Sequence, residues 1–131
     1  MFIIMKIHHI AISVKDLKRS VNFYKENFGF EEVSTFTKPD WDGSAVNLRL
    51  GDTQMEIFGF DGAVDKKDDL SDFKVIGLKH IAIQVDSVNE KYEELKKKGI
   101  DIDKPKKGTT CALFCFMKDP DGIPIELYEA N

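Results

Sequence analysis

Two histidines and two glutamates stand at matching positions in the two halves of this sequence. His9 begins the segment His-Ile-Ala-Ile-Ser-Val, and His80 begins the similar segment His-Ile-Ala-Ile-Gln-Val. Glu56 and Glu126 occupy matching places in two further apolar segments, at almost the same spacing along the chain. Imidazole and carboxylate groups together suit a divalent Zn, Ni, Co, Mn or Fe ion, and four such ligands leave positions for water or substrate. The repeated residues therefore predict one divalent metal site.

Strand alternation places these four side chains on equivalent faces. In both histidine segments the second, fourth and sixth residues are apolar, so they share one face that can receive a helix. His9 and His80 project from the opposite face, as do Glu56 and Glu126 in their own strands. A duplicated sheet that curls around this face would bring the four side chains together.

The competing interpretation of these residues is structural. A strand histidine is commonly a hydrogen-bonded structural residue, and a strand glutamate is commonly just solvated. The repeat favours the metal site, because both residue types recur together. His8 has no such partner, since Lys79 stands in its place, and we interpret it as structural.

Each half of the chain is predicted to be a βαβββ module built on one amphipathic helix. Asp16 is the expected N-cap of the first helix and Gly29 its end. Ser87 and Glu90 form a capping box for the second helix, which Gly99 ends. The strands expected after the helices are Glu31–Thr37, Ser44–Leu50 and Gln54–Gly59 in the first half, and Asp101–Lys104, Cys111–Met117 and Ile123–Tyr128 in the second.

We therefore expect an α+β fold, in which two tandem βαβββ modules form a cupped mixed sheet. The first module covers 5–60 and the second module covers 76–129, joined by a charged linker at 61–75 within a single domain of 1–131. Residues 1–4 are expected to be a dispensable extension. A length of 131 residues with 42% hydrophobic composition suits one domain with a real core.

Charge and cysteine content narrow the class of function. A net charge of -4 and the scarcity of arginine disfavour a nucleic-acid or anionic-membrane surface. No apolar run approaches the roughly 20 residues that span a bilayer, and the opening is too short for a signal peptide, so we expect a cytoplasmic protein. Cys111 and Cys115 would lie about 13 Å apart along one strand, which excludes a disulfide between them and predicts reduced core thiols.

These motifs resemble the vicinal oxygen chelate superfamily, and most closely its glyoxalase I-like members. The likeness rests on the opening segment from His9 through Phe30, on the second segment from His80, and on the closing Asp-Pro-Asp-Gly-Ile-Pro-Ile-Glu-Leu at 119–127. The resemblance implies a pair of βαβββ modules around one metal ion, often in a dimer, so we expect a homodimer. The four repeated residues match the ligand positions of bacterial glyoxalase I, and they are His9, Glu56, His80 and Glu126.

The resemblance also implies an activity. Such a lactoylglutathione lyase-like metalloenzyme acts on a small carbonyl or thiol-adduct substrate, such as the hemithioacetal of methylglyoxal and a thiol. A base removes the proton next to the carbonyl while the metal stabilises the developing ene-diolate. Glu126 is the first candidate for this base, and Glu56 is the symmetric alternative.

Thiol recognition departs from the family pattern. Ser13 and Phe60 stand where glutathione-using members usually carry arginine and asparagine. The stretch 106–110 resembles a lysine- and glycine-bearing loop that contacts glutathione, which makes Lys107 a candidate substrate-binding residue. A lysine-rich turn is equally often plain solvated surface.

Two groups of alternatives stay open. Other metalloenzymes of the superfamily include epimerases, dioxygenases and fosfomycin-modifying enzymes, but epimerases generally carry Gln rather than Glu at the position of Glu56. A metal-free module of the bleomycin-resistance type would instead line its cup with aromatic side chains. Aromatic residues in strands more often belong to the core, but five of them are candidates for such a lining: Trp41, Phe36, Phe58, Phe60 and Tyr128.

Overall fold

The computed structural model describes residues 4–131 and separates the chain into two compact units, the first ending at Asp65 and the second beginning at Lys66. The first unit contains the first module and the second unit contains the second module. Three of the four residues of the expected extension, 1–3, lie outside the described residues. Among residues 4–131, no helix is both long enough and apolar enough to cross a membrane.

The first unit is a βαβββ module with its own mixed sheet. Its strand order is β1-β4-β3-β2, in which β1 runs parallel to β4 and the other neighbours are antiparallel. This arrangement leaves one face of the sheet to the helix. The elements are β1 (His9–Val14), α1 (Leu17–Phe28), β2 (Glu31–Phe36), β3 (Gly43–Leu50) and β4 (Thr53–Phe60).

Helix α1 begins and ends where the sequence predicts. The Asp16 carboxylate accepts a hydrogen bond from the Arg19 N–H at 3.0 Å, and Gly29 adopts the left-handed conformation with φ 76°. The helix packs on β3 and β4, and Tyr24 of the helix is completely buried, as are Leu48 and Ile57 of these strands. Apolar residues at strand parity thus fix which sheet face the helix covers.

The second unit repeats this architecture with the order β5-β8-β7-β6, and β5 is parallel to β8. The Ser87 hydroxyl accepts the Glu90 N–H at 3.2 Å, which confirms the predicted cap, and Glu129 Oε1 accepts the Val88 N–H at 2.8 Å. Leu95 is fully buried in this core. The elements are β5 (Ile81–Gln84), α2 (Val88–Lys97), β6 (Lys106–Lys107), β7 (Leu113–Lys118) and β8 (Pro124–Glu129).

One predicted strand is wrong. The stretch Asp101–Lys104 forms only an isolated bridge between Ile102 and Met117, and the strand that pairs with β7 is the short β6. Pro105 has no N–H to give to a sheet, and it separates the bridge from β6. The other predicted strands differ from the observed ones by at most two residues at either end.

The predicted α+β fold of two βαβββ modules is therefore confirmed. Cys111 and Cys115 are both buried and unpaired, as expected for reduced core thiols. Cys111 lies just before β7 rather than within it, because that strand begins at Leu113.

Candidate metal centre

The second module brings its predicted histidine and glutamate into direct contact. His80 stands immediately before β5, and Glu126 lies on the parallel neighbour β8, opposite Ala82. The His80 Nε2 and Glu126 Oε2 atoms are 3.4 Å apart, with side chains 28% and 17% exposed. Two donors that each lie about 2.1 Å from a tetrahedral ion are themselves about 3.4 Å apart. The pair therefore fits two ligands of one divalent ion while staying open to solvent.

Apolar groups flank this pair. The Phe116 ring lies edge-on to the His80 ring with 5.1 Å between centroids, and the Phe73 ring lies 6.3 Å away. Across the sheet, Glu126 is opposite Phe116 on one side and the small Ala82 on the other. These neighbours offer no side-chain hydrogen-bond donor to the carboxylate, so His80 is the polar group it contacts.

A buried carboxylate fixes the turn that leads into β8. Asp119 is only 5% exposed, and its Oδ1 accepts the N–H groups of Asp121 and Ile123, each at 2.9 Å. The Asp119 N–H donates to the Ile123 carbonyl, and Gly122 supplies the left-handed φ of 83° that closes the turn. The position of Glu126 on β8 therefore depends on this turn. The sequence motif at 119–127 includes the residues of the turn but does not by itself reveal this role.

The first module carries an equivalent histidine and glutamate on one face of its sheet. His9 is opposite Gln54, and Glu56 is opposite Ala11, in the parallel pairing of β1 with β4. Because paired residues and residues two apart share a face, both side chains project on the face away from α1. His9 Nδ1 lies 3.0 Å from His8 Nδ1, so one of the two rings donates its proton to the other.

The surroundings of the two glutamates differ. Glu56 is opposite Asn47 on β3, where Glu126 is opposite Phe116. The Asn47 side-chain amide donates to the Ser34 hydroxyl at 2.9 Å. Glu56 thus has a polar cross-strand neighbour, whereas Glu126 has an aromatic one.

The structure brings one predicted pair of ligands into contact and places the other pair on one sheet face. His80 contacts Glu126. His9 shares a sheet face with Glu56, which is paired with the residue two positions after His9, Ala11. Within residues 4–131, no group of three or more His, Cys, Asp or Glu side chains is placed to hold a metal ion. The complete set of four ligands stays a prediction, and each module supplies one imidazole and one carboxylate toward it.

The predicted substrate-binding residues lie in two places. Trp41 contacts Phe60 at 5.0 Å between ring centroids, on the same sheet face as Glu56. Lys107 is exposed on the short edge strand β6. A cavity of about 550 Å³ in the second unit, which the sequence did not predict, is lined by His80 together with Phe73, Phe116, Asp103 and other residues.

Cys115 is not a candidate ligand. Burial raises the pKa of its thiol to about 11, with a smaller contribution from the negative charge of Asp103. The thiol therefore stays protonated at neutral pH, whereas metal binding needs a thiolate. The donor set of this site is limited to imidazole and carboxylate groups.

Comparison with known proteins agrees with this architecture. Human mitochondrial methylmalonyl-CoA epimerase is 33% identical over 95% of this chain and 74% of its own length. Lactoylglutathione lyase of Escherichia coli O157:H7 is 30% identical over 95% of this chain and 93% of its own. The crystal structure of a glyoxalase family protein from Enterococcus faecalis superposes with a TM-score of 0.80 at 31% identity, covering 95% of this chain and 97% of that one.

A family model for the Glyoxalase/Bleomycin resistance protein/Dioxygenase superfamily matches residues 6–127. This range includes every helix and strand except the last two residues of β8, and it includes all four predicted ligands. The chain therefore belongs to the Glyoxalase/Bleomycin resistance protein/Dioxygenase superfamily.

Proposed function

We propose that this protein is a metal-dependent isomerase of the glyoxalase I type, which moves a proton between adjacent carbons of a thiol hemithioacetal of a 2-oxoaldehyde. The observation that carries the proposal is the His80–Glu126 pair, whose donor atoms are 3.4 Å apart beside an open cavity. The likeness to lactoylglutathione lyase of Escherichia coli O157:H7, at 30% identity, supports the same chemistry.

Four residues would hold the metal ion: His9, Glu56, His80 and Glu126. A bound divalent ion would supply positive charge beside the two substrate oxygens when the proton leaves carbon. A set of imidazole and carboxylate ligands without a thiolate suits Ni, Co, Zn, Mn or Fe. Measurement of the metal content of the protein identifies the native ion.

Glu126 is the proposed base. Its carboxylate takes the proton from the carbon that bears sulfur and returns it to the neighbouring carbonyl carbon. The hydroxyl proton of the first carbon moves to the oxygen of the second, so the hemithioacetal becomes a 2-hydroxy thioester and the reaction needs no further reagent. Phe116 and Ala82, its neighbours across the sheet, give it no competing side-chain donor. Glu56 faces Asn47 instead, which suits a carboxylate that stays a ligand.

A second copy of the chain is the proposed source of the ligands that one module lacks. Each module offers one histidine and one glutamate, and residues 4–131 include no three-residue donor group. We therefore propose a homodimer whose association strengthens with bound metal. Sedimentation of the metal-free and reconstituted protein tests this, and a monomer in both forms would contradict it.

Buried, unpaired cysteines support a reducing, cytoplasmic location.

The first experiment measures metal per chain after dialysis, in the native protein and in His80→Ala. We expect about one divalent ion per chain in the native protein, because each chain carries two His–Glu pairs, and a marked loss of metal in the variant. Asp68→Ala is the control, because it removes a potential oxygen ligand at an exposed position of the linker. A native protein that binds no ion after reconstitution with each candidate metal would refute the proposal.

The second experiment measures thioester formation from methylglyoxal hemithioacetals of glutathione and of smaller thiols. Glu126→Gln should keep the fold and lower kcat by about 10²- to 10⁴-fold, the usual effect of losing a general base. Glu56→Gln should retain more activity. Equal kcat values in wild type and Glu126→Gln would remove Glu126 as the base.

An acyl-CoA epimerase is the second candidate, because human methylmalonyl-CoA epimerase is 33% identical to this chain. Epimerisation needs the same removal of a proton next to a carbonyl. The two candidate functions are distinguished by an assay of the wild-type protein and its Glu56→Gln variant on methylmalonyl-CoA. Turnover of this substrate without turnover of any hemithioacetal would replace the first proposal with the second.

A further inference from the structure

His8 and His9 contact each other through their imidazole rings. His8 Nδ1 lies 3.0 Å from His9 Nδ1, which is a normal hydrogen-bond distance. The rings meet edge-on, with 5.2 Å between their centroids and 89° between their planes. Neighbouring side chains within a regular strand point to opposite faces of the sheet, whereas His8 precedes β1, which begins at His9. The ring pair is therefore a feature of its own, which strand geometry does not explain.

The backbone holds His8 in place beside its neighbour. The Gln54 N–H donates to the His8 carbonyl at 3.0 Å, and Gln54 is also the residue paired with His9 in the parallel register of β1 with β4. The start of β4 therefore fixes the backbone of both histidines. An anchored backbone lowers the entropy cost of keeping the two rings together.

The second module indicates which nitrogen of His9 is the proposed ligand atom. In that module His80 Nε2 is the ring atom next to the Glu126 carboxylate, 3.4 Å from Oε2. His9 and Glu56 occupy the matching register positions of the first module. By this repeat, Nε2 of His9 is the atom that would bind the ion, and Nδ1, the atom beside His8, is the other ring nitrogen.

The direction of the hydrogen bond decides whether that ligand atom is available. A neutral imidazole carries one proton, so only one of its nitrogens has a free lone pair. If His9 donates its Nδ1 proton to His8, Nε2 keeps the lone pair that a metal ion needs. If His8 donates instead, the proton of His9 stays on Nε2 and blocks that atom. Among residues 4–131, His9 makes no other side-chain hydrogen bond, so this one bond selects its tautomer.

The matching position of the second module carries no acceptor. Lys79 stands there, and its ammonium donates to the Asp72 carbonyl at 3.0 Å. A lysine side chain has only donors, so Lys79 cannot accept a proton from His80. The two proposed metal histidines therefore have different neighbours, since His80 contacts a carboxylate and His9 contacts a second imidazole.

We propose that His8 is a positioning residue for the metal centre: its Nδ1 accepts the Nδ1 proton of His9 and so holds His9 with Nε2 free for the ion. Metal-binding histidines generally donate from their second ring nitrogen to an acceptor that fixes the tautomer and the ring orientation. Carboxylates and backbone carbonyls are the usual acceptors, and here a neighbouring imidazole takes that place. This inference rests on the proposed function for the identity of His9 as a ligand.

The protonation site of His9 gives a direct test in the full chain freed of metal by a chelator. Nitrogen-15 NMR distinguishes the protonated from the unprotonated nitrogen of an imidazole, and the chain has only three histidines to assign. In mildly alkaline buffer we expect His9 to carry its proton on Nδ1, and to shift toward the Nε2 form in His8→Leu. A wild-type His9 protonated on Nε2 would overturn the inference, as would an equal change in His80, the internal control.

Two substitutions of equal size separate the hydrogen bond from packing. Asparagine and leucine have the same number of side-chain heavy atoms, but only asparagine has an acceptor oxygen where His8 has Nδ1. His8→Leu should weaken Zn²⁺ binding by about 10- to 100-fold, the usual effect of losing such a partner, and His8→Asn should restore most of it. A competing chromophoric chelator measures the affinity. Equal affinities in the two variants would overturn the inference.

The same pair of substitutions at the matching position is the control. Lys79→Leu and Lys79→Asn should bind Zn²⁺ with equal affinity, because the Lys79 ammonium is directed to the Asp72 carbonyl. A leucine-to-asparagine difference at Lys79 as large as the one at His8 would overturn the inference, since it would show a general effect of polarity beside a metal histidine.

NMR of the Zn²⁺-loaded protein distinguishes positioning from coordination. We expect the ion to shift the Nε2 signals of His9 and His80, and a Zn²⁺-bound nitrogen on His8 would overturn the inference. No Zn²⁺ binding by a protein whose His9 carries the Nδ1 proton would refute the proposed function and leave the hydrogen bond to His8 in place. Zn²⁺ binding and turnover by a protein whose His9 carries the Nε2 proton would do the opposite.

Discussion

Replacement of Asp119 by alanine should weaken the fold more than most single substitutions, because one buried oxygen satisfies two backbone groups. Asp119 Oδ1 accepts the N–H groups of Asp121 and Ile123 at 2.9 Å, and the residue is 5% exposed. A hydrogen bond to a charged acceptor contributes about 1.5–3 kcal/mol. The two bonds share one oxygen, so we expect a loss of about 3 kcal/mol rather than twice the single value.

A loss of that size is measurable and specific. Against a typical unfolding free energy of about 5–15 kcal/mol, it should lower the urea midpoint clearly and the Tm by roughly 10 °C. Asp119→Asn keeps an oxygen acceptor in the same place and should lose only about 1 kcal/mol. Asp68→Ala, at an exposed position of the linker, is the control for removing one negative charge.

The Asp119 variants also test how Glu126 is positioned. Because the Asp119 turn precedes β8 directly, Asp119→Ala should lower kcat in conditions where the protein is still folded. Unfolding free energies that agree within about 0.5 kcal/mol between Asp119→Ala and Asp68→Ala would refute the reasoning. So would an asparagine variant as unstable as the alanine one.

Two further predictions concern close packing and a buried thiol. Gly43→Ala should lower the unfolding free energy in urea by about 1–3 kcal/mol, because a Cβ there would collide with the backbone carbonyl of Gly59. Gly51→Ala should lower it by only about 1 kcal/mol. A Cβ at Gly51 meets no atom within 4 Å, so only the positive φ causes strain. Burial raises the pKa of the Cys115 thiol to about 11, so the thiol should resist alkylation at pH 8 until urea unfolds the chain. The contribution of the thiol to stability should be complete below about pH 9 and should fall as the pH rises toward 11. Rapid alkylation of the folded protein would contradict the burial.

The sequence predicted those features of the fold that obey short-range rules. Asp16 and Ser87 cap the two helices as expected, since a capping side chain acts within three residues of itself. The Asp101–Lys104 strand failed because alternation alone does not show where Pro105 interrupts pairing. The His80–Glu126 contact followed from parity together with the parallel pairing that a βαβββ repeat implies.

The features that escaped prediction depend on cross-strand register. Which residue lies opposite Glu126 is decided by how β7 pairs with β8, and the sequence gives no local signal that this residue is Phe116. The same holds for Asn47 opposite Glu56. The cavity beside His80 likewise depends on where residues outside the module, such as Phe73, lie in the folded second unit.

Unequal neighbours in a duplicated fold point to unequal roles for the two glutamates. Histidine and glutamate recur at matching register in both modules, which agrees with the proposed metal coordination. A base also works best without a competing donor beside it. Phe116 offers Glu126 none, whereas Asn47 opposite Glu56 carries a side-chain amide. A hemithioacetal is itself asymmetric, with sulfur at one end and a carbon substituent at the other. The proposed ligand set, in which Glu126 is opposite an aromatic ring and Glu56 is opposite an amide, therefore agrees with the proposed asymmetric substrate.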